Sequence, residues 1–116
     1  MKNFKELIIW QRGIEIVKKV YDLTKQFPSQ EKFGIISQMT RAAVSISANI
    51  AEGSSRTSSK DYNRFLEMSL GSSFEMETQL MIAEAVNFGV KEKRDDLLKE
   101  IDEEQKMLMS FMSKLH

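Results

Sequence analysis

The sequence predicts an all-α fold: an antiparallel up-down-up-down four-helix bundle forming a single domain over residues 1–116. Three observations predict it. Apolar residues recur at spacings of three, four and seven, with no strand-type alternation and no internal repeat. One Pro and five Gly among 116 residues leave long segments free to stay helical. The breaks fall near Pro28, between Gly53 and Ser58, and at Gly89, and links this short join antiparallel neighbours.

The first helix is expected over 5–27. Ile9, Ile16, Val20, Leu23 and Phe27 form one stripe, and Trp10, Ile14, Val17 and Tyr21 form a second beside it. Pro28 ends it, because the residue before a proline is pushed out of helical geometry. Ser29 is the expected N-cap of the second helix, 29–53, with Glu31 in its positive first turn. Gly53 suits the left-handed position that closes it. The third helix, 58–88, opens on Ser58 with Asp61 three residues on, a shortened capping box, and stops before Gly89. The fourth, 91–115, keeps Leu97, Ile101, Gln105, Leu108, Met112 and Leu115 on one face.

Composition excludes several classes of function. The absence of cysteine removes disulfides and thiolate metal sites. The one histidine, His116, stands at the last position, so no His-based triad, acid–base pair or metal cluster can be assembled. Glu75 and Glu77, two apart, cannot share a helix face. Glu100, Asp102, Glu103 and Glu104 are read as a solvated face in preference to a metal site. The loop "GSSRTSSK" lacks the Gly-Lys-Ser/Thr ending of a phosphate-cradling loop. The eight methionines read as core filler. No catalytic residue, metal or cofactor is expected. Apolar runs are too short to span a membrane, and a cytoplasmic location is the expectation.

Charge is balanced in total but not in place. Residues 1–64 hold 11 Lys/Arg against 6 Asp/Glu, and residues 65–116 hold 6 against 11. Such asymmetry can steer an anionic partner or join copies of the chain; differing surface charge on the helices is the plainer reading. The third helix carries more apolar surface than a solvated monomer needs, with Leu70, Phe74, Met81, Ala85 and Phe88 on a second stripe. Burial against further copies of the chain relieves that excess more simply than a thick core with exposed flanks.

The segment "RAAVSISANIAEGSSR" (Arg41–Arg56) gathers small side chains. Ala42, Ser45, Asn49 and Gly53 share one helical edge, and Ala43 lies beside it. Small residues let helix axes approach toward the low end of about 8–10 Å. A hairpin turning near residue 56 sets Ala42 and Ala43 opposite Ser69–Ser73, where Gly71 costs about 1 kcal/mol against alanine unless a neighbour packs closely on it. Asn49 would sit near Tyr62 and Asn63 as a buried amide that fixes register, in preference to a catalytic group.

The same segment carries a likeness. "RAAVSISANIAEG" (Arg41–Gly53) resembles the signature of four-helix bundle proteins encoded in intervening sequences of bacterial 23S ribosomal RNA genes. "IIWQRG" (Ile8–Gly13), "LTKQFPSQEKFGIISQMTRAA" (Leu23–Ala43) and "SSKDYNRFLEMSLGSSFEMETQL" (Ser58–Leu80) extend it over nearly the whole chain. The resemblance implies a homopentamer of such bundles. It is also similar to the accessory variability proteins of diversity-generating retroelements, pentamers that bind nucleic acid and work with a reverse transcriptase. The chain departs from the pattern in three places. Ser47 stands where the family often has proline, Thr40 precedes Arg41 where paired arginines are usual, and Thr57 follows Arg56 in place of a second basic residue.

One surface is a candidate ligand site. Arg56, Lys60 and Arg64 follow at intervals of four around the start of the third helix, where free amide N–H groups and the helix dipole favour phosphate. With Arg41 they form the candidate nucleic-acid surface; ordinary loop charge is the bland alternative. The expected protein is a non-enzymatic homo-oligomeric scaffold with weak, non-specific affinity for RNA or DNA. The alternative is a protein–protein interaction module that uses the apolar surface or the acidic fourth helix.

Overall fold

Four helices carry most of the chain: α1 (Ile8–Thr24), α2 (Ile35–Ser54), α3 (Ser59–Ala85) and α4 (Lys91–Ser113). The computed structural model describes residues 3–115, so His116 lies outside the described residues. Short 3-10 turns at Phe4–Glu6 and Ser29–Glu31 precede α1 and α2, and no strand occurs among the described residues. The helices gather around one core in a body measuring 44 × 24 × 20 Å. Among the described residues no helix is long and apolar enough to cross a membrane.

The periodic apolar positions line the interior. Ile16, Val20 and Leu23 of α1, Met39, Ile46 and Ile50 of α2, Leu66, Met76 and Leu80 of α3, and Leu97, Ile101 and Leu108 of α4 are all buried. Each such side chain contributes about 1.5–3 kcal/mol through removal from water. α2 packs against α1 and α3, and α4 against α3 and α1, while among the described residues the backbones of the diagonal pairs stay further apart. Polar pairs at the α1–α4 seam run in opposite order along the two helices. Arg12 meets Glu103, Lys19 meets Asp96, and Asp22 meets Lys93. Beyond the end of α1, Gln26 accepts the Val90 N–H at 2.9 Å.

Helix ends depart from the expected bounds, each for a local reason. α1 starts at Ile8 and not near residue 5, because Leu7 is extended (ψ 128°) after the first 3-10 turn. Ser29 begins a 3-10 turn in place of capping α2, and the chain passes through Lys32, Phe33 and Gly34 before α2 starts at Ile35. Gly53 lies inside α2, whose last residue is Ser54, and holds no left-handed conformation.

At the other end of α3, Asn87 and not Gly89 provides the stop. Asn87 adopts φ 60°, its N–H reaches the Glu84 carbonyl at 3.1 Å, and the Phe88 N–H reaches that of Ala83 at 2.8 Å. Those two bonds form a Schellman motif, which satisfies carbonyls the helix would otherwise leave open. Gly89 (φ 75°) serves the link itself, and a Cβ there would meet Leu23 Cδ1 at 2.5 Å. α4 stops at Ser113, two residues short of the expected end.

Candidate nucleic-acid interface

The α2–α3 hairpin carries every candidate residue, so its seam comes first. Ala42, Ala43, Ile46, Ser47, Ile50 and Gly53 are buried on α2, and Phe65, Leu66, Ser69, Ser73 and Met76 on α3. Ser69 Oγ donates to the Ile46 carbonyl at 2.8 Å, and Ser72 Oγ donates to Ser45 Oγ at 2.8 Å. A Cβ on Gly53 would lie 2.9 Å from Phe65 Cβ and 3.0 Å from Tyr62 Cδ1. At Gly53 the two helices lie too close for a larger side chain. The pairing 46/69, 45/72 and 53/62 sets the register about one turn further along α3 than a hairpin centred on residue 56 implies.

Two residues of this group act differently from expectation. A Cβ on Gly71 would meet nothing within 4 Å, and the residue is exposed. Standing two residues from both Ser69 and Ser73, it points away from the seam they occupy. Asn49 is half-buried, and its Nδ2 donates to Ser45 O at 2.9 Å and Ser45 Oγ at 2.8 Å within its own helix. Its hydrogen-bonded link to α3 runs through the Ser45–Ser72 contact.

The hairpin's turn gathers three of the four candidate cations. Ser58 Oγ accepts the Asp61 N–H at 3.1 Å, so α3 begins with a side-chain cap and an acid in its first turn. The Arg56 and Arg64 guanidinium carbons lie 4.6 and 5.7 Å from the centre of the buried Phe65 ring. Arg56 also donates to Glu52 at 3.0 Å, and Arg64 approaches Asp61 at 4.0 Å. Lys60 is exposed and makes no ion pair among the described residues. Arg41 stands apart. It is 13 residues before the end of α2, on the order of 20 Å at the helical rise. There it borders a shallow groove with Tyr21, Thr40, Val44 and Ala48.

The second apolar stripe expected on the third helix is in part exposed: Phe74, Met81 and Ala85, with Gly71, Thr78 and Ile82, stand at spacings of three and four on the outer side of α3. One feature departs from the sequence reading. Glu104, expected on a solvated acidic face, is fully buried between α4 and α1, and among the described residues neither carboxyl oxygen has a hydrogen-bond partner. Burial pushes its carboxyl up to about 8; Arg12 opposes that shift and Glu100 adds to it. Among the described residues no group of three or more His, Cys, Asp or Glu is placed to hold a metal ion. The available signal was spacing, since Glu104 falls three residues after Ile101 and four before Leu108. The run of neighbouring acids hid it.

Comparisons with known proteins bear on fold and family. The family model described as "23S rRNA-intervening sequence protein" matches residues 5–110. A crystal structure from Bacteroides thetaiotaomicron VPI-5482, described as a protein with unknown function from the S23 ribosomal protein family, is similar in fold. It has a TM-score of 0.83 at 24% identity, over 90% of this chain and 98% of that one. Comparison with curated proteins returns no match.

Proposed function

The chain belongs to the 23S rRNA-intervening sequence protein family, and from that premise we propose that it is a non-enzymatic scaffold that binds RNA or DNA weakly and without sequence preference. The single observation behind this reading is the turn between α2 and α3, where Arg56 and Arg64 both lie against Phe65 and Lys60 is exposed in the first turn of α3. Three cations at one end of a rod can neutralise phosphates. Guanidinium planes held on a ring are also suited to stacking with an unpaired base. Nothing in the group is arranged to read base edges, so affinity would come from charge.

The scaffold we infer is an up-down-up-down bundle assembled with copies of itself, a pentamer by likeness to its family. The opposite order of the α1–α4 pairs supports the first part. The outer face of α3 supports the second, since Phe74, Met81 and Ile82 are 48%, 55% and 47% exposed there.

A second reading is favoured by the same turn. Glu52 and Asp61 already partner Arg56 and Arg64, which leaves a small surplus of positive charge. On that reading the chain is a protein–protein interaction module, and the α3 face takes its partner.

Light scattering with and without a short single-stranded RNA, at low and at physiological salt, decides between them. The scaffold reading expects an oligomer whose RNA affinity falls steeply with salt, by a log–log slope of about 0.7 per phosphate neutralised on single strands. Replacing Arg56, Lys60 and Arg64 together with Gln should reduce that slope by about 2 and leave the oligomer intact. Absence of binding at low salt would leave the interaction-module reading standing.

A further inference from the structure

We propose that Glu104 is a proton-operated latch between α4 and α1: the seam closes with its carboxyl neutral, and each opening releases that proton to water. The inference is independent of any nucleic-acid role. It starts from placement. Glu104 sits within the apolar series Leu97, Ile101 and Leu108, and closing α4 on α1 removes its carboxyl group wholly from water. Among the described residues neither oxygen gains a hydrogen-bond partner in exchange. A carboxylate so placed would lack the hydration and hydrogen bonds that make ionisation favourable, whereas the neutral acid gives up far less.

The surrounding charges do not supply the missing compensation. From α1, Arg12 stands closest, but its Nη2 donates to Glu103 at 2.7 Å and lies 3.6 Å from Glu100, leaving Nε 3.9 Å from Glu104. One guanidinium is thus divided among three carboxyl groups, and Glu103 has the short bond. Lys19, also on α1, is engaged by Asp96 at 2.7 Å. From α3 the nearby charge is another acid, Glu77, which takes the side-chain N–H of Gln105 at 2.9 Å. On α4 itself Glu100 and Glu103 flank Arg12. An ionised Glu104 would add a further negative charge to a region already in surplus.

Opening restores water to the group, and an exposed carboxyl ionises in the ordinary acidic range. Opening and deprotonation are therefore one equilibrium. Its constant rises about tenfold per pH unit from that ordinary range up to the pH at which the closed form itself ionises, then levels off. The latch loosens as pH rises through neutrality.

The test is amide hydrogen exchange of α4 residues 97–108 between pH 5 and 9, corrected for the intrinsic exchange rate, alongside a carboxyl carbon NMR titration of the full chain. Protection factors of the native protein should fall with pH and then plateau, and the Glu104 carboxyl should titrate well above the ordinary carboxyl range. Glu104→Gln keeps the shape and removes the proton, so its protection should not vary with pH. An ordinary Glu104 midpoint, or a Gln variant whose protection falls as the native protein's does, would overturn the latch. If the variant does not fold, the native protein still decides: protection that stays constant up to the Glu104 midpoint refutes it.

Discussion

Gly53 and Gly71 both lie within helices, yet they respond to opposite demands. Gly53 lets α2 approach Tyr62 and Phe65, so Gly53→Ala should lower stability by about 1–3 kcal/mol through overpacking. A Cβ on Gly71 would meet nothing among the described residues, so Gly71→Ala should raise the stability of the single chain by up to about 1 kcal/mol. Urea midpoints at low protein concentration check both signs. Glu104 adds a prediction with a pH sign. Its folded midpoint of about 8 exceeds the ordinary 4.5, so between those values the folded state holds a proton the unfolded chain has lost. Stability therefore falls as pH rises through that window, by about 1.4 kcal/mol per unit, and the loss is complete above the folded midpoint. Glu104→Leu should accordingly gain on the native protein between pH 5 and pH 8; parallel urea midpoints at the two pH values would contradict this. The small-residue edge of Gly53 was legible because steric need is written in residue size. The burial of Glu104 was not, because an acid at a core spacing looks the same in the sequence as an acid on the surface.

Between residues and the whole, the helices show where periodicity is a sufficient guide. All four were legible from their apolar stripes, because an amphipathic segment has one economical way to bury its face. Their ends were harder. Pro28 and Gly89 are strong signals that mark a link, but the helix before each stops earlier, at Thr24 and Ala85. At α3 the competing device is Asn87, whose left-handed conformation closes the Schellman motif. Asn87→Gly should leave stability level or higher, and Asn87→Ala should cost about 1 kcal/mol, because a Cβ without a compensating polar group is disfavoured there. Thermal melts of the two variants measure the difference. The hairpin register slipped for a related reason: its turn is centred nearer 58 than 56, and a shift of one or two residues in the turn displaces each pair by twice that. Ser58, by contrast, was read correctly as the cap of α3. Its hydroxyl holds the Asp61 N–H, and losing it in Ser58→Ala should cost about 1 kcal/mol.

At the scale of the molecule, the outer face of α3 and the cationic turn belong to the same rod, and that makes their roles separable. A glycine with nothing against it, a phenylalanine, a methionine and an isoleucine half exposed, all on one side of one helix, are costly in water unless another surface meets them. If that surface is a second copy, each added subunit brings another Arg56–Lys60–Arg64 group. Contacts too weak to hold RNA singly then act together, and linked sites can exceed a single site by a factor of about 10²–10⁴. Phe74→Glu combined with Ile82→Glu should therefore do two things. It should convert the proposed oligomer to a folded monomer, because both positions face away from the α2–α3 seam and the core is untouched. It should also weaken binding to a long single-stranded RNA far more than binding to one short enough to touch a single subunit, although no cation has been changed. Light scattering and fluorescence anisotropy on the two RNA lengths measure the pair of effects. An oligomer that persists would show that another face joins the copies. A monomer that binds both RNAs as the native protein does would show that each turn acts alone.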